Sequence, residues 1–274
     1  MNPSEKVREG VSKSYAKAVE GGAGCCAAGN GSQKGVLVRE AGYQPNELKS
    51  LPKGAVENSF GCGNPVGFSR IAEGEIVVDL GSGAGIDLFL AAERVGEKGR
   101  VIGIDMTDAM VRKARENIGK SGWRNIEVRK GLIEELPVES NSVDWVISNC
   151  VINLSPEKDR VFQEIHRVLK PGGKMLVADL VAKDLPDWVL RDAELYCSCI
   201  AGAIPEDTYI GKLRDAGMGN VRVEGRLEYE DRQIESLVAS EVKSDRPADF
   251  GKKLATDLSG RIASVRVYAE KPAV

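Results

Sequence analysis

Three observations predict an α/β chain built on a doubly wound, mostly parallel sheet. Apolar, strand-like runs alternate with helix-period segments from Glu75 to Leu180, the pattern of a parallel sheet with helices on both faces. The first run, Glu75-Ile-Val-Val-Asp79, rises to an acid and breaks into Leu80-Gly81-Ser82-Gly83-Ala84-Gly85. A buried parallel strand ends this way, in a tight turn before a helix. With 274 residues the chain can bury a sizeable core, one α/β domain with appended pieces.

Composition excludes several classes of partner. The net charge is −3 with signs mixed, and aromatics are 5 %, so neither a basic stripe nor stacking rings argue for nucleic acid. Met1-Asn-Pro-Ser-Glu-Lys lacks the apolar core of a secretion signal. No run reaches the roughly 18 apolar residues of a membrane span. The expectation is a soluble, cytoplasmic monomer. In that reducing setting, six cysteines do not make a disulfide framework; each is by default a small buried hydrophobe. Asn30-Gly-Ser32 and Asn153-Leu-Ser155 match the glycosylation pattern by chance.

The N-terminus opens as a helix. Asn2 can cap it, Pro3 suits the first helical position, and Glu5 falls where a capping box wants an acid. Val7, Val11, Tyr15 and Ala18 form one apolar face. Gly21-Gly-Ala-Gly24 stops the helix and Cys25-Cys26 follows in a small-residue loop. Residues 1–60 are expected to be an arm or lid. In Ser59-Phe-Gly-Cys62-Gly-Asn-Pro65, glycines flank the cysteine and Asn-Pro makes a turn, so the sulfur is displayed on exposed backbone.

Strands follow at Glu75–Asp79, Val101–Asp105, Ile126–Arg129, Val143–Asn149 and Lys174–Asp179. Thr107 or Asp108 caps a helix turning Met110, Val111, Ala114 and Ile118 inward. A further helix near Arg160–Leu169 ends at Lys170-Pro-Gly-Gly173. Beyond residue 182, Asp187–Cys199 and Thr208–Ala216 read as helical, and Val221–Glu224 and Ser264–Ala269 as closing edge strands. The span 231–260 reads as polar, helical cover. Domains are therefore expected at 1–60, 61–182 and 183–274.

The glycine spacing is G-x-G-x-G, not the G-x-G-x-x-G of dinucleotide binders, and no Lys or Arg lies between Asp79 and Arg94. A pyrophosphate wants helix amides and basic partners; an acid here suits a cationic end such as a methionine ammonium. Asp105 can accept both hydroxyls of a ribose. Ile133 and Glu134 can flank an adenine, and Met106 can cover its other side. Val-Val-Asp79-Leu-Gly81-Ser-Gly83, Gly-Ile-Asp105-Met, Leu-Pro137 and Leu-Lys-Pro171-Gly-Gly173 resemble the seven-stranded, Rossmann-like class I S-adenosylmethionine-dependent methyltransferases. The resemblance implies S-adenosylmethionine as methyl donor, bound by Asp79, Gly81, Ser82, Gly83, Asp105, Met106, Ile133, Glu134 and Asn149.

The acceptor is argued from cysteines. Cys150 ends the fourth strand, Cys199 lies at a helix end beyond the fifth, and the Cys62 loop precedes the first. All three approach the sheet edge where ligands bind. One thiol could take the methyl itself, or all three could hold one thiophilic centre. There is no C-x-x-C knuckle for zinc, and the sole histidine, His166, lies inside a helix. Ser59-Phe-Gly-Cys62-Gly-Asn-Pro65, Ser148-Asn-Cys150-Val-Ile-Asn-Leu154 and Cys199-Ile-Ala-Gly-Ala203 resemble the arsenite S-adenosylmethionine methyltransferases. Phe60 stands where relatives often carry tyrosine, and Cys197 reads as structural.

That resemblance implies that Cys62, Cys150 and Cys199 hold trivalent arsenic, taken as arsenite or a glutathione conjugate. It also implies a disulfide between Cys62 and Cys26 or Cys25, reduced by thioredoxin or glutathione. Two other readings remain: methylation of carbon, oxygen or nitrogen in a small metabolite with structural cysteines, and a non-catalytic metalloid-binding or redox-sensing protein.

Overall fold

The computed structural model describes residues 2–20, 43–49, 51–59, 61, 63–235, 246–247 and 249–273. Helix α1 (Pro3–Glu20) starts as its sequence dictates. The Glu5 amide donates to Asn2 Oδ1 at 2.7 Å and the Asn2 amide to Glu5 Oε2 at 2.8 Å, a reciprocal capping box. Val11 and Ala18 are buried on its inner face. Cys25, Cys26, Phe60 and Cys62 lie outside the described residues.

The central alternation runs β1 (Ile76–Leu80), α2 (Ile86–Val95), β2 (Arg100–Asp105), α3 (Asp108–Ser121), β3 (Ile126–Lys130), β4 (Val143–Asn149), α4 (Lys158–Val168) and β5 (Leu169–Ala182). Then come α5 (Glu206–Asp215), β6 (Gly219–Glu228), α6 (Phe250–Leu258) and β7 (Ile262–Glu270). The strands form one seven-stranded sheet in the order β3-β2-β1-β4-β5-β7-β6. β1 to β5 pair in parallel, and β7 runs antiparallel to both β5 and β6.

Both sheet faces are covered, which is why the strands are near-continuous apolar runs. On one face Val77 packs with Leu88, Phe89 and Trp145; on the other, Val78 and Leu80 pack with Phe162 and Ile165 of α4. Phe162 is fully buried, edge-on to Tyr209 of α5 at a ring separation of 5.1 Å. Truncating such a side chain to alanine costs about 3–5 kcal/mol. A third cluster caps the carboxyl ends of the strands, with Val11 of α1, Leu154, Leu195, Ile200 and Leu254.

The chain reverses direction across the sheet between β1 and β4. A crevice therefore opens beyond their carboxyl ends, where doubly wound proteins bind ligands.

Several expectations are corrected. β5 begins at Leu169, so Pro171-Gly-Gly173 lies inside a strand rather than between helix and strand. There Gly172 takes φ +77° and donates to Lys271 O, while the pairing with β4 shifts register. The expected helix 187–199 is two short ones, Asp187–Leu190 and Ala193–Cys197. They are parted because the Asp192 side chain accepts from the amides of Glu194 and Leu195 and caps the second.

Asn64-Pro65 starts a short helix (Pro65–Phe68) rather than a plain turn, with Asn64 Oδ1 capping the Gly67 amide. Neither Thr107 nor Asp108 caps α3 by its side chain; the Thr107 amide donates instead to Asp105 Oδ1 at 2.8 Å. α6 is also more than polar cover, since Leu254, Ala255 and Leu258 are buried. Among the described residues, no helix is long and apolar enough to cross a membrane.

Candidate active site

The turn after β1 is built from backbone that glycine adopts without cost. Gly81 and Gly83 have φ of +67° and +51°. A Cβ on Gly81 would lie 2.4 Å from the Val151 side chain, whereas one on Gly83 would meet nothing within 4 Å, because Gly83 faces the cavity.

That cavity opens to solvent at the switch point, where doubly wound proteins bind ligands. It is lined by Asp79, Gly81, Ser82, Gly83, Asp105, Met106, Ile133, Glu134, Asn149 and Cys150. These are all of the residues expected to hold a donor, together with one expected thiol. Ser82 Oγ is buried with no hydrogen-bond partner among the described residues, so the turn holds a polar atom for a ligand to satisfy.

The electrostatics favour a cationic ligand. Asp79, Asp87 and Asp105 are all buried and line one cavity. Burial pushes Asp79 well above the ordinary carboxylate range, and the neighbouring Asp87 and Asp105 charges push it further. Burial raises Asp87 to about 6, against hydrogen bonds from Tyr43 and Asn149 that favour its charged form. Burial also raises Asp105, opposed by the Thr107 and Gly83 amides. A bound ammonium would relieve the repulsion.

Sequence reasoning passed over Asp87. The signal was present, an acid in the first turn of α2 two residues beyond Gly85. The Asp105 oxygens accept from Gly83 N at 3.0 Å and Thr107 N at 2.8 Å, and each retains capacity for another donor such as a ribose hydroxyl. Glu134 Oε1 is engaged by Arg8 Nε at 3.1 Å and Ser155 Oγ at 2.6 Å. Arg8, Val11 and Tyr15 line the cavity as well, so the Arg8 ion pair straps α1 over it.

Two of the expected thiol positions meet at its rim. Cys199 donates from Sγ to Cys150 O at 2.7 Å, and both residues are buried. Cys150 has φ +58° and Cys199 φ +65°. Non-glycine residues in this region cost about 1–3 kcal/mol each and cluster at functional sites. Gly202 makes the Cys199 turn possible, since a Cβ there would lie 2.1 Å from Asn153 O.

The sequence reading takes Cys150 as a thiolate ligand, but the structure has it disulfide-bonded, with Cys197 and Cys199 outside any disulfide. Oxidation removes the Cys150 thiolate from any ligand set in this state. Among the described residues no three His, Cys, Asp or Glu side chains form a metal site. His166 lies away from the cavity, beside Gly217.

A methyltransferase-domain family model matches residues 71–238. The crystal structure of an arsenic(III) S-adenosylmethionine methyltransferase from Chlamydomonas reinhardtii is 33 % identical with a TM-score of 0.63, covering 87 % of this chain and 73 % of that one. The chain belongs to the arsenite methyltransferase family. An arsenite methyltransferase of that family from Halobacterium salinarum is 42 % identical over 259 residues, 93 % of this chain and 60 % of the relative. The mouse family member is 37 % identical over 172 residues, 59 % of this chain and 45 % of its own length. This chain thus spans less than two thirds of the length of these curated relatives.

Proposed function

We propose that this chain transfers the methyl group of S-adenosylmethionine to trivalent arsenic held by Cys62, Cys150 and Cys199, forming methylated arsenicals and S-adenosylhomocysteine in detoxification. The observation that carries the reading is the contact between the Cys199 thiol and the Cys150 backbone at the rim of a cavity lined by three buried acids.

Asp79 and Asp87 hold the ammonium of the donor, Asp105 its ribose, and Met106 and Ile133 flank its adenine. Ser82 and the Gly81–Gly83 turn supply the close backbone approach. Bound there, S-adenosylmethionine supplies an electrophilic methyl group on its sulfonium.

The cysteines hold arsenic as a pyramid with its lone pair directed into the cavity. The residues thereby contribute orientation and proximity, which are worth up to about 7–11 kcal/mol. Arsenic loses no proton, so no general base is required. Receiving a methyl cation raises arsenic formally to the pentavalent state. Two thiolates joining as a disulfide return the two electrons, and Cys62 with Cys26 (or Cys25) is the expected pair. Glutathione or thioredoxin then restores both thiols, itself becoming the disulfide. The oxidised state of Cys150 supports thiol–disulfide chemistry at this rim, and it must likewise be reduced before arsenic enters. The substrate is arsenite or its glutathione conjugate, and the chain acts in the cytoplasm as a monomer.

The test incubates the protein with labelled S-adenosylmethionine, arsenite and glutathione and separates methylated arsenicals by chromatography. Cys150→Ser and Cys199→Ser are each expected to lower turnover by about a hundredfold, the scale of a misplaced reacting atom, while S-adenosylmethionine still binds. Undiminished arsenic methylation in both variants would make the cysteines structural, and a parent protein that forms no methylated arsenical would point to an organic methyl acceptor.

A further inference from the structure

Asn149 faces the cavity, yet its carboxamide is already committed. Its Oδ1 accepts from Gly63 N at 3.1 Å and its Nδ2 donates to Gly63 O at 2.6 Å. The same Nδ2 lies 2.9 Å from Tyr43 Oη and 3.2 Å from Asp87 Oδ2. Tyr43, itself buried, donates to Asp87 Oδ1 at 2.8 Å. One side chain therefore grips both backbone groups of Gly63 and is braced from behind by a phenol and a carboxylate.

The glycines on either side of position 62 fit that grip. A Cβ on Gly61 would lie 2.3 Å from Asn149 Cγ, and one on Gly63 would lie 2.4 Å from the Cβ of Ala178 on β5. Only glycine lets this backbone lie flat on the ends of β4 and β5. Docking thus accounts for the glycines at positions 61 and 63.

We infer that Asn149 is a positioning residue that fixes the backbone at Gly63, the residue after Cys62 in the sequence, against the end of β4, rather than a ligand of the methyl donor. Its consequence for arsenic capture rests on the proposed function; the clamp itself does not.

The first measurement is amide hydrogen exchange at Gly63 in the arsenic-free protein. Asn149→Ala removes the acceptor of that amide, so exchange should accelerate about tenfold or more, with β1 and β2 amides unchanged. Gly61→Ala attacks the same contact from the opposite side and replaces Asn149→Ala if that variant does not fold.

The second measurement compares affinities by calorimetry on reduced protein. Arsenite binding should weaken about tenfold in either variant, while S-adenosylmethionine binding shifts no more than about threefold, because Asp87 keeps its Tyr43 hydrogen bond. Unchanged Gly63 exchange overturns the clamp. So does a tenfold loss of S-adenosylmethionine affinity with arsenite affinity intact, which would make Asn149 a donor ligand. If the parent protein does not bind arsenite, the functional reading fails and the exchange result still decides the clamp.

Discussion

Asp87 is a buried acid of the cavity held by Tyr43 and Asn149, and its ionisation couples to ligand binding with a definite sign. Its folded value, about 6, lies above the ordinary carboxylate value of 3.8. For stability alone, the ligand-free protein gains as pH falls from about 6 towards 4, because the folded state binds the proton more tightly there. Affinity for a cationic donor moves the other way. It is full above pH 6, where Asp87 is charged, and declines as pH falls through that value by up to about tenfold per unit. Calorimetric titration with S-adenosylmethionine between pH 5 and 7.5 should show that decline. In buffers of different ionisation enthalpy it should also show proton release near pH 6. Asp87→Asn should bind more weakly, with a flatter profile in this range. A parent affinity that stays constant from pH 5 to 7.5 would remove Asp87 from the ammonium site.

At the scale of elements, an ion pair ties α1 to the cavity wall. Arg8, with a side chain 16 % exposed, meets Glu134 at 4 % exposure and also pairs with Glu157. Arg8→Ala leaves a buried carboxylate with Ser155 as its remaining hydrogen-bond donor among the described residues and should cost about 1–3 kcal/mol. Because Val11 and Tyr15 of the same helix line the cavity, S-adenosylmethionine should dissociate faster as well. Stopped-flow dissociation and thermal melts check both effects, and an unchanged off-rate would mean that α1 is not a cover.

The strap was not legible in the sequence, since Arg8 and Glu134 are 126 residues apart and no local pattern joins them. The capping box at Asn2 and Glu5 was legible because its chemistry spans a single turn. The β1 turn and the strand-end acids were legible for the same reason, their spacing being fixed by strand and turn geometry. Pro171-Gly-Gly173 misled because glycine and proline ordinarily punctuate. Here the Gly172 amide pairs with Lys271, far along the chain.

Over the whole molecule, the proposed donor site and the proposed thiol rim occupy one end of the sheet but depend on different things. The proposed donor site is made by turns and acids that the core holds in place: Val78 and Leu80 of β1 and Ile102 and Ile104 of β2 are buried immediately before the turn that carries Ser82 and the strand end that carries Asp105. The thiol rim depends on redox state, because Cys150 is in a disulfide and Cys199 is not. Oxidised protein should therefore bind S-adenosylmethionine normally and take up no arsenite. Treatment with a dithiol transfers two electrons and two protons to each disulfide. It should add two titratable thiols per disulfide and restore one equivalent of arsenite binding, with donor affinity unchanged. Thiol titration, intact mass and paired calorimetry on the two redox forms read all three quantities. Equal arsenite uptake before and after reduction would take Cys150 out of the ligand set. A loss of donor affinity on reduction would mean that the disulfide, rather than the sheet core, shapes the cavity.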